Sequence, residues 1–133
     1  MSNELMFEDL TYKIIGVCYV VQNQLGGGLL EKTYQKALVI GLKSAGFIVD
    51  EEVKVPILFN NEKIATGYAD LLVNGKVLME LKRNGSFNRS QILQLENYLT
   101  ACNCPLGLLI NFGYDSVKVK RVINRSFFNA LKS

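Results

Sequence analysis

The chain has no histidine, and it carries only two prolines and three cysteines. The missing histidine excludes any mechanism built on an imidazole base or ligand, and any histidine pH switch. Cys18, Cys102 and Cys104 are an odd number without a disulfide framework, which implies a reduced, cytoplasmic setting. Cys102-Asn103-Cys104 is a weak metal signal, because no second pair of soft ligands accompanies it. No uninterrupted apolar run reaches the ~18 residues of a membrane span, and the N-terminus lacks a signal-peptide pattern. No membrane association is therefore expected. Neither sign of charge dominates. A net charge of +3 permits nucleic-acid binding without requiring it, so basic clustering matters more than the total.

What is present suits one globular domain over residues 1–133, long enough to bury roughly two thirds of its unfolded surface. Residues 1–10 read as an acidic lead-in. A helix from Thr11 to Leu25 is apolar nearly all round, which predicts deep burial. Gly26-Gly27-Gly28 ends it and allows a sharp turn or a close backbone approach. A second helix from Leu29 to Ala45 repeats Leu30, Tyr34, Leu38 and Leu42 as a core stripe, and Gly46 stops it. Phe47 to Phe59 is extended. Pro56 lacks a ladder donor, which places it at an edge, a bulge or a strand end. Asn60-Asn61 turns the chain into a strand from Lys63 to Val73, and a hairpin follows to complete a three-strand meander. Asn88 caps a helix over Arg89–Cys102. On it Ile92, Leu95 and Leu99 face the core, and Gln91, Gln94 and Tyr98 form a neighbouring strip. After Pro105, Leu106 to Phe112 reads as a buried strand parallel to an inner one. Val117–Ile123 is a last strand, and residues 124–133 form a tail that can close as a short helix. The class is α/β (α+β by some schemes) with a mixed sheet.

The stretch Gly67 to Arg83 organises the rest. It is an apolar hairpin interrupted by Asp70, Glu80 and Lys82. Each buried, unpaired charge costs several kcal/mol, so the register matters. A two-residue turn at Asn74-Gly75 would put Asp70 and Glu80 on opposite faces. A three-residue loop, Val73-Asn74-Gly75, sets Leu72 against Lys76 and makes Asp70 and Glu80 diagonal neighbours. The second pairing leaves Ala69, Leu71, Val73, Val77, Met79 and Leu81 as a wholly apolar face. Hydrophobic pattern specifies register, and this one segregates the residues.

Two carboxylates beside a lysine suit a hard divalent cation and a water nucleophile. Asp70 and Glu80 would supply the carboxylates and the Leu81 backbone carbonyl a further oxygen. Lys82 would orient water or stabilise charge on a phosphate. A solvent-exposed Glu80–Lys82 ion pair is the bland alternative. Glu31 has two readings as well: an acid set against the dipole of its helix, or a residue pointing into the site.

Beyond spacing, Asp70…Glu80-Leu81-Lys82 resembles the core motif of the PD-(D/E)XK nuclease superfamily. Gly28-Leu29-Leu30-Glu31-Lys32-Thr33-Tyr34 is similar to the signature of the GxxExxY family within it. The resemblance continues through residues 67–73, 77–82, Gln94…Tyr98-Leu99, 106–113 and 120–123. It implies a restriction-endonuclease-like core with Glu31, Asp70, Glu80, Lys82 and Gln94 lining one site. Asp70 and Glu80 would hold Mg²⁺ or Mn²⁺, with Glu31 as a further candidate ligand. Lys82 would be the catalytic lysine, and Gln94 would position substrate or water. Tyr34 and Tyr98 would border the pocket, unless their role is in the core. Gln22 and Gln91 stand where members of that family often carry histidine.

The expected function is a metal-dependent nuclease acting on DNA or RNA. Arg83, Arg89 and Gln91 would contact substrate, and Lys118, Lys120, Arg121 and Arg125 would add positive charge. The alternative is a catalytically weak or inactive module of the same fold that binds nucleic acid or a protein partner. A homodimer would serve double-strand cutting, since each duplex cut needs two sites.

Overall fold

Apolar periodicity sorts the chain into helices α1 (Glu8–Leu25), α2 (Glu31–Ser44), α3 (Arg89–Cys102) and α4 (Arg125–Lys132). The strands are β1 (Val49–Phe59), β2 (Glu62–Val73), β3 (Val77–Arg83), β4 (Leu106–Phe112) and β5 (Val117–Ile123). The computed structural model describes residues 7–83 and 85–132, apart from the side chains of Arg83 and Lys132. The strands form one five-stranded sheet in the order β1-β2-β3-β4-β5. Neighbours run antiparallel except β3 and β4, which are parallel because α3 carries the chain back between them. Pro56 lies on β1, an edge strand, beside a register shift at Ile57/Leu58, where its missing donor costs least. No described helix is long and apolar enough to cross a membrane.

The sheet separates two cores. On one side Leu71, Val77, Met79, Leu81, Leu108 and Ile110 pack against Ile14 and Cys18 of α1 and Leu38 and Leu42 of α2. On the other, Leu78, Leu109 and Val122 pack against Leu95 and Leu99 of α3. The all-apolar run of β4 follows from this, since both of its faces are covered and every one of its residues is buried.

Several sequence expectations need adjusting. The acidic lead-in is shorter, because α1 begins at Glu8; residues 1–6 lie outside the described residues. Leu30 is 64% exposed, so the α2 stripe begins at Tyr34. The hairpin loop has three residues, but they are Asn74–Lys76, since Val73 pairs with Val77 and Leu72 with Leu78. Asn74 and Gly75 are both left-handed, and the Lys76 N–H donates to the Val73 carbonyl. A shift of two in register keeps the parity of the pairing, and continued past Leu71–Met79, where the ladder ends, it sets Asp70 opposite Glu80 rather than diagonal to it.

Ala69 is the exception to the predicted apolar face. It packs with the α3 core, as do Val53 and Val55, whereas Val49, Leu71 and Val73 belong to the α1/α2 core. Alternation therefore inverts along both β1 and β2. The cause is Glu52, which adopts a left-handed φ of 49° within β1. The β1–β2 ladder pairs Glu51 with Leu71 and Val53 with Ala69 but omits Glu52 and Asp70 between them. A single left-handed residue turns the strand over, and sequence alternation alone could not reveal it.

The glycine turn after α1 is a place of close approach. A Cβ on Gly27 would sit 2.5 Å from the Tyr114 Cα and 2.7 Å from the Gly113 carbonyl oxygen, both backbone atoms that cannot rotate away. Gly16, in α1, has open space where its Cβ would be. Gly27→Ala should therefore destabilise the fold by about 1–3 kcal/mol, the range for overpacking. Gly16→Ala should be neutral or stabilise by up to about 1 kcal/mol through helix propensity. Urea unfolding of the two variants checks this; equal stability would contradict the packing described.

Candidate active site

β2 and β3 pair only at Leu71–Met79, Leu72–Leu78 and Val73–Val77. Beyond Met79 the strands part, and side chains take over from the ladder. The Leu81 N–H donates to Asp70 Oδ2 at 2.7 Å, a bond that would otherwise go to a strand carbonyl. A strand residue sends its N–H and C=O out on the same side. The Leu81 carbonyl thus faces the same gap. Glu80 and Lys82 alternate with Leu81 and so lie on the other face from the α1/α2 core, beside Leu78.

Burial and like charge load this gap. Glu80 is only 5% exposed. Its Oε1 is buried and has no hydrogen-bond partner among the described residues. Desolvation pushes the Glu80 carboxyl up to about 7; the Asp70 carboxylate adds to this, and Lys82 and the Asp70 backbone pull it back. Asp70 is also raised, chiefly by burial, while the Leu81 amide holds it down. Raised carboxylates in a pair are a mark of groups that await a cation or a proton.

α2 reaches the gap through residues that sequence reasoning passed over. Buried Gln35 donates from Nε2 to Glu52 Oε1 at 3.0 Å and to the Asp70 carbonyl at 3.4 Å. The Lys32 ammonium donates to the same Glu52 oxygen and to Gln35 Oε1. This brace ties the two residues that the β1–β2 ladder omits, Glu52 and Asp70, to one helix. It fixes the backbone of Asp70 where strand pairing fails. The signals were an acid pair, Glu51-Glu52, in an apolar strand and a polar Lys32/Gln35 spacing of three on α2.

The remaining sequence candidates lie as follows. Glu31 is exposed in the first turn of α2, next to Lys32. Gln94 is exposed on α3 and Arg89 is exposed at its first residue. Tyr98 is buried over Gly67, where an added Cβ would come within 2.4 Å of its hydroxyl oxygen. Two candidates for substrate contact make internal structural contacts. Tyr34 is fully buried, stacks on Phe112 with centroids 4.4 Å apart, and donates its hydroxyl to the Gly26 carbonyl. Gln91 closes a capping box with Asn88: its Oε1 accepts the Asn88 N–H, and Asn88 Oδ1 accepts the Gln91 N–H. Gln22 is buried, with Nε2 donating to the Gly113 carbonyl at 3.0 Å. The side chain of Arg83 lies outside the described residues. Cys18 is too deeply buried to act as a nucleophile; burial pushes its thiol up to about 12.

The donors available for a metal are thus the Asp70 and Glu80 carboxylates and the Leu81 carbonyl. Among the described residues no group of three or more Cys, Asp or Glu side chains is placed to hold an ion. Such a set leaves open coordination positions, as Mg²⁺ sites that also take water and phosphate oxygens do.

The protein family described as the PD-(D/E)XK nuclease superfamily matches residues 8–123. No curated protein matches the sequence. Among solved structures, the crystal structure of SSO0001 is similar in fold, with a TM-score of 0.56 and 17% identity over 76% of this chain. The present chain spans about half of that one, 55% of its length. An alkaline exonuclease from Laribacter hongkongensis superposes with a TM-score of 0.48 and 11% identity, covering 86% of each chain.

The buried carboxylate has a stability signature. Glu80 ordinarily titrates at 4.5 and is raised to about 7 in the fold, so the folded chain holds a proton that the unfolded chain releases between those values. Its contribution to stability falls as pH rises through that window, and above it the charged group is a burden. Glu80→Gln should be more stable than the wild type at pH 8 without metal, by roughly 1–3 kcal/mol, and close to it at pH 4.5. Urea unfolding at both pH values measures the difference. No gain at pH 8 would contradict the burial of this charge.

Proposed function

Because the chain belongs to the PD-(D/E)XK nuclease superfamily, we propose that it is a divalent-metal-dependent nuclease hydrolysing phosphodiester bonds in DNA or RNA. The observation that carries this reading is the unpartnered, buried Glu80 Oε1 opposite Asp70 at the strand split. A purely structural pair would be satisfied by hydrogen bonds or replaced by apolar residues, since buried charge without a partner is costly. The donor set fits Mg²⁺ or Mn²⁺: all oxygen, few carboxylates, and an open side. Asp70, Glu80 and the Leu81 carbonyl would hold the ion. When bound, it supplies charge neutralisation at the phosphate and a more acidic water.

The chain's own residues divide the remaining work. Asp70 is held by the Leu81 amide and by the Gln35 contact to its carbonyl, so one carboxylate oxygen is fixed and the other is free to bind. Lys82, two residues along the same face from Glu80, brings positive charge to the pair and is suited to orient the attacking water or to stabilise the pentavalent phosphate. Gln94 and Glu31 are exposed on α3 and α2. Gln94 would hydrogen-bond substrate or water, and Glu31 would serve as a further carboxylate. Within the superfamily, the order of blocks from Gly28-x-x-Glu31-x-x-Tyr34 to Lys120-Arg121 supports placement in the GxxExxY family. Gln22 and Gln91, where histidines often stand in that family, are engaged in a turn contact and a helix cap.

Incubation of wild type and Lys82→Ala with single- and double-stranded DNA and RNA, in Mg²⁺, Mn²⁺ or EDTA, tests the proposal. Expected is cleavage by the wild type only with metal, reduced at least 10²-fold in Lys82→Ala. Equal activity in both proteins would defeat the catalytic role, and binding without cleavage by the wild type would leave only a nucleic-acid-binding module.

A further inference from the structure

At the carboxyl ends of the parallel strands β3 and β4 lies a cleft of about 480 Å³, lined in part by Gly85, Ser86, Asn111, Asp115, Ser116 and Lys118. Register fixes its place relative to the candidate active site. Lys82 pairs with Asn111, and Asn111 pairs with Lys118. Residues opposite one another in a sheet share a face. These three therefore form a row across β3, β4 and β5 on the Glu80 face. The Lys118 backbone is two strand spacings from that of Lys82, about 10 Å. Glu80, Leu109 and Lys120 form the next row, so Lys120 extends the same positive face. Arg121 pairs with Leu108 of the α1/α2 core and lies on the opposite side.

The cleft is built rather than incidental. The Asn111 side chain is buried and donates to the Gly85 carbonyl, which ties the loop after β3 to β4. The turn after β4 is closed by the Gly113 N–H to the Ser116 carbonyl. Gln22 anchors that turn from α1, and Gly27 backs onto it with no room for a Cβ on either glycine. On this frame Lys118 is exposed and makes no ion pair among the described residues. Ser86 and Ser116 bring two hydroxyls. A free ammonium and two serine hydroxyls in the wall of a fixed cleft, whose remaining lining is largely apolar and includes Tyr114, match an anion with several acceptor oxygens. Asp115 on the rim opposes an anion, but it is exposed and screened by solvent.

Resting on the nuclease reading above, we propose that this cleft is a phosphate subsite of the substrate strand. It would hold a phosphate within about three nucleotides of the scissile one, at roughly 3.4 Å of axis per nucleotide. The same chemistry serves an internal phosphodiester or a terminal phosphomonoester.

The test compares wild type, Lys118→Met, Ser86→Ala/Ser116→Ala and the control Lys36→Met, an exposed lysine of α2. Fluorescence anisotropy with labelled 12-nucleotide DNA strands, with and without a terminal phosphate, is read across a salt series, and kcat and KM are measured in Mn²⁺. Lys118→Met should weaken binding roughly three- to tenfold, lower the salt slope by about 0.7–0.9, and raise KM with kcat unchanged. The serine variant should weaken binding without changing the slope, and Lys36→Met should match the wild type. A loss equal on both strands assigns an internal phosphodiester; a loss confined to the phosphorylated strand assigns a terminal one. If the wild type binds and cleaves while Lys118→Met matches Lys36→Met, the subsite is overturned and the nuclease reading stands. If the wild type neither binds nor cleaves, both fall.

Discussion

The parting of β2 and β3 at Asp70 and Glu80 is the constraint on which the site depends. Three ladder pairs hold the hairpin together near its loop, and past Met79 the ladder ends. The Asp70 carboxylate then meets the Leu81 amide in place of a backbone carbonyl. That substitution uses one oxygen of Asp70 to seal the strand and leaves Glu80 buried without a full set of partners. A sheet that simply continued would have spent the same polar groups on itself and presented nothing to a ligand. The split creates a gap with inward-facing oxygens, and the cores on either side keep it in shape.

Those cores act through two local devices. The left-handed Glu52 inverts alternation in β1 opposite Asp70, so that Val53, Val55 and Ala69 serve the α3 core while Val49, Leu71 and Val73 serve the other. Strain at one residue thereby lets one pair of strands contribute to two layers. The Lys32–Gln35–Glu52 brace then holds the inverted segment to α2, including the Asp70 carbonyl. At the far end, Tyr34 joins the glycine turn to α2 and stacks on Phe112 of β4, and Gln22 holds the turn that follows β4. The helices thus brace both ends of the row that runs from β2 to β5.

Much of this was legible in the sequence, for physical reasons that can be named. The bounds of α3, β4 and β5, and the parallel course of β4, follow from a capping signal, an unbroken apolar run and period-two alternation. The hairpin's faces were readable because only a loop with an odd number of residues sets Asp70 and Glu80 on one side of the pairing; the loop position was not, because a shift of two residues keeps that parity. Glu52 carried no glycine to announce its left-handed backbone. On α2, exposure of Leu30 shows that the apolar stripe starts one turn later, and the residues that touch the strand split are Lys32 and Gln35. Gln22 and Gln91 stand where the resembled family often carries histidine, and their hydrogen bonds serve a turn and a cap, contacts that spacing does not encode.

The strand split leaves a buried carboxylate pair, and in the proposed nuclease a divalent cation would neutralise its charge. A ¹³C NMR titration of the Glu80 and Asp70 carboxyl groups, with and without Mg²⁺, tests it most directly. Without metal, Glu80 should titrate near 7, and with saturating Mg²⁺ its titration should move below its ordinary 4.5. A Glu80 that titrates normally and ignores Mg²⁺ would contradict the account.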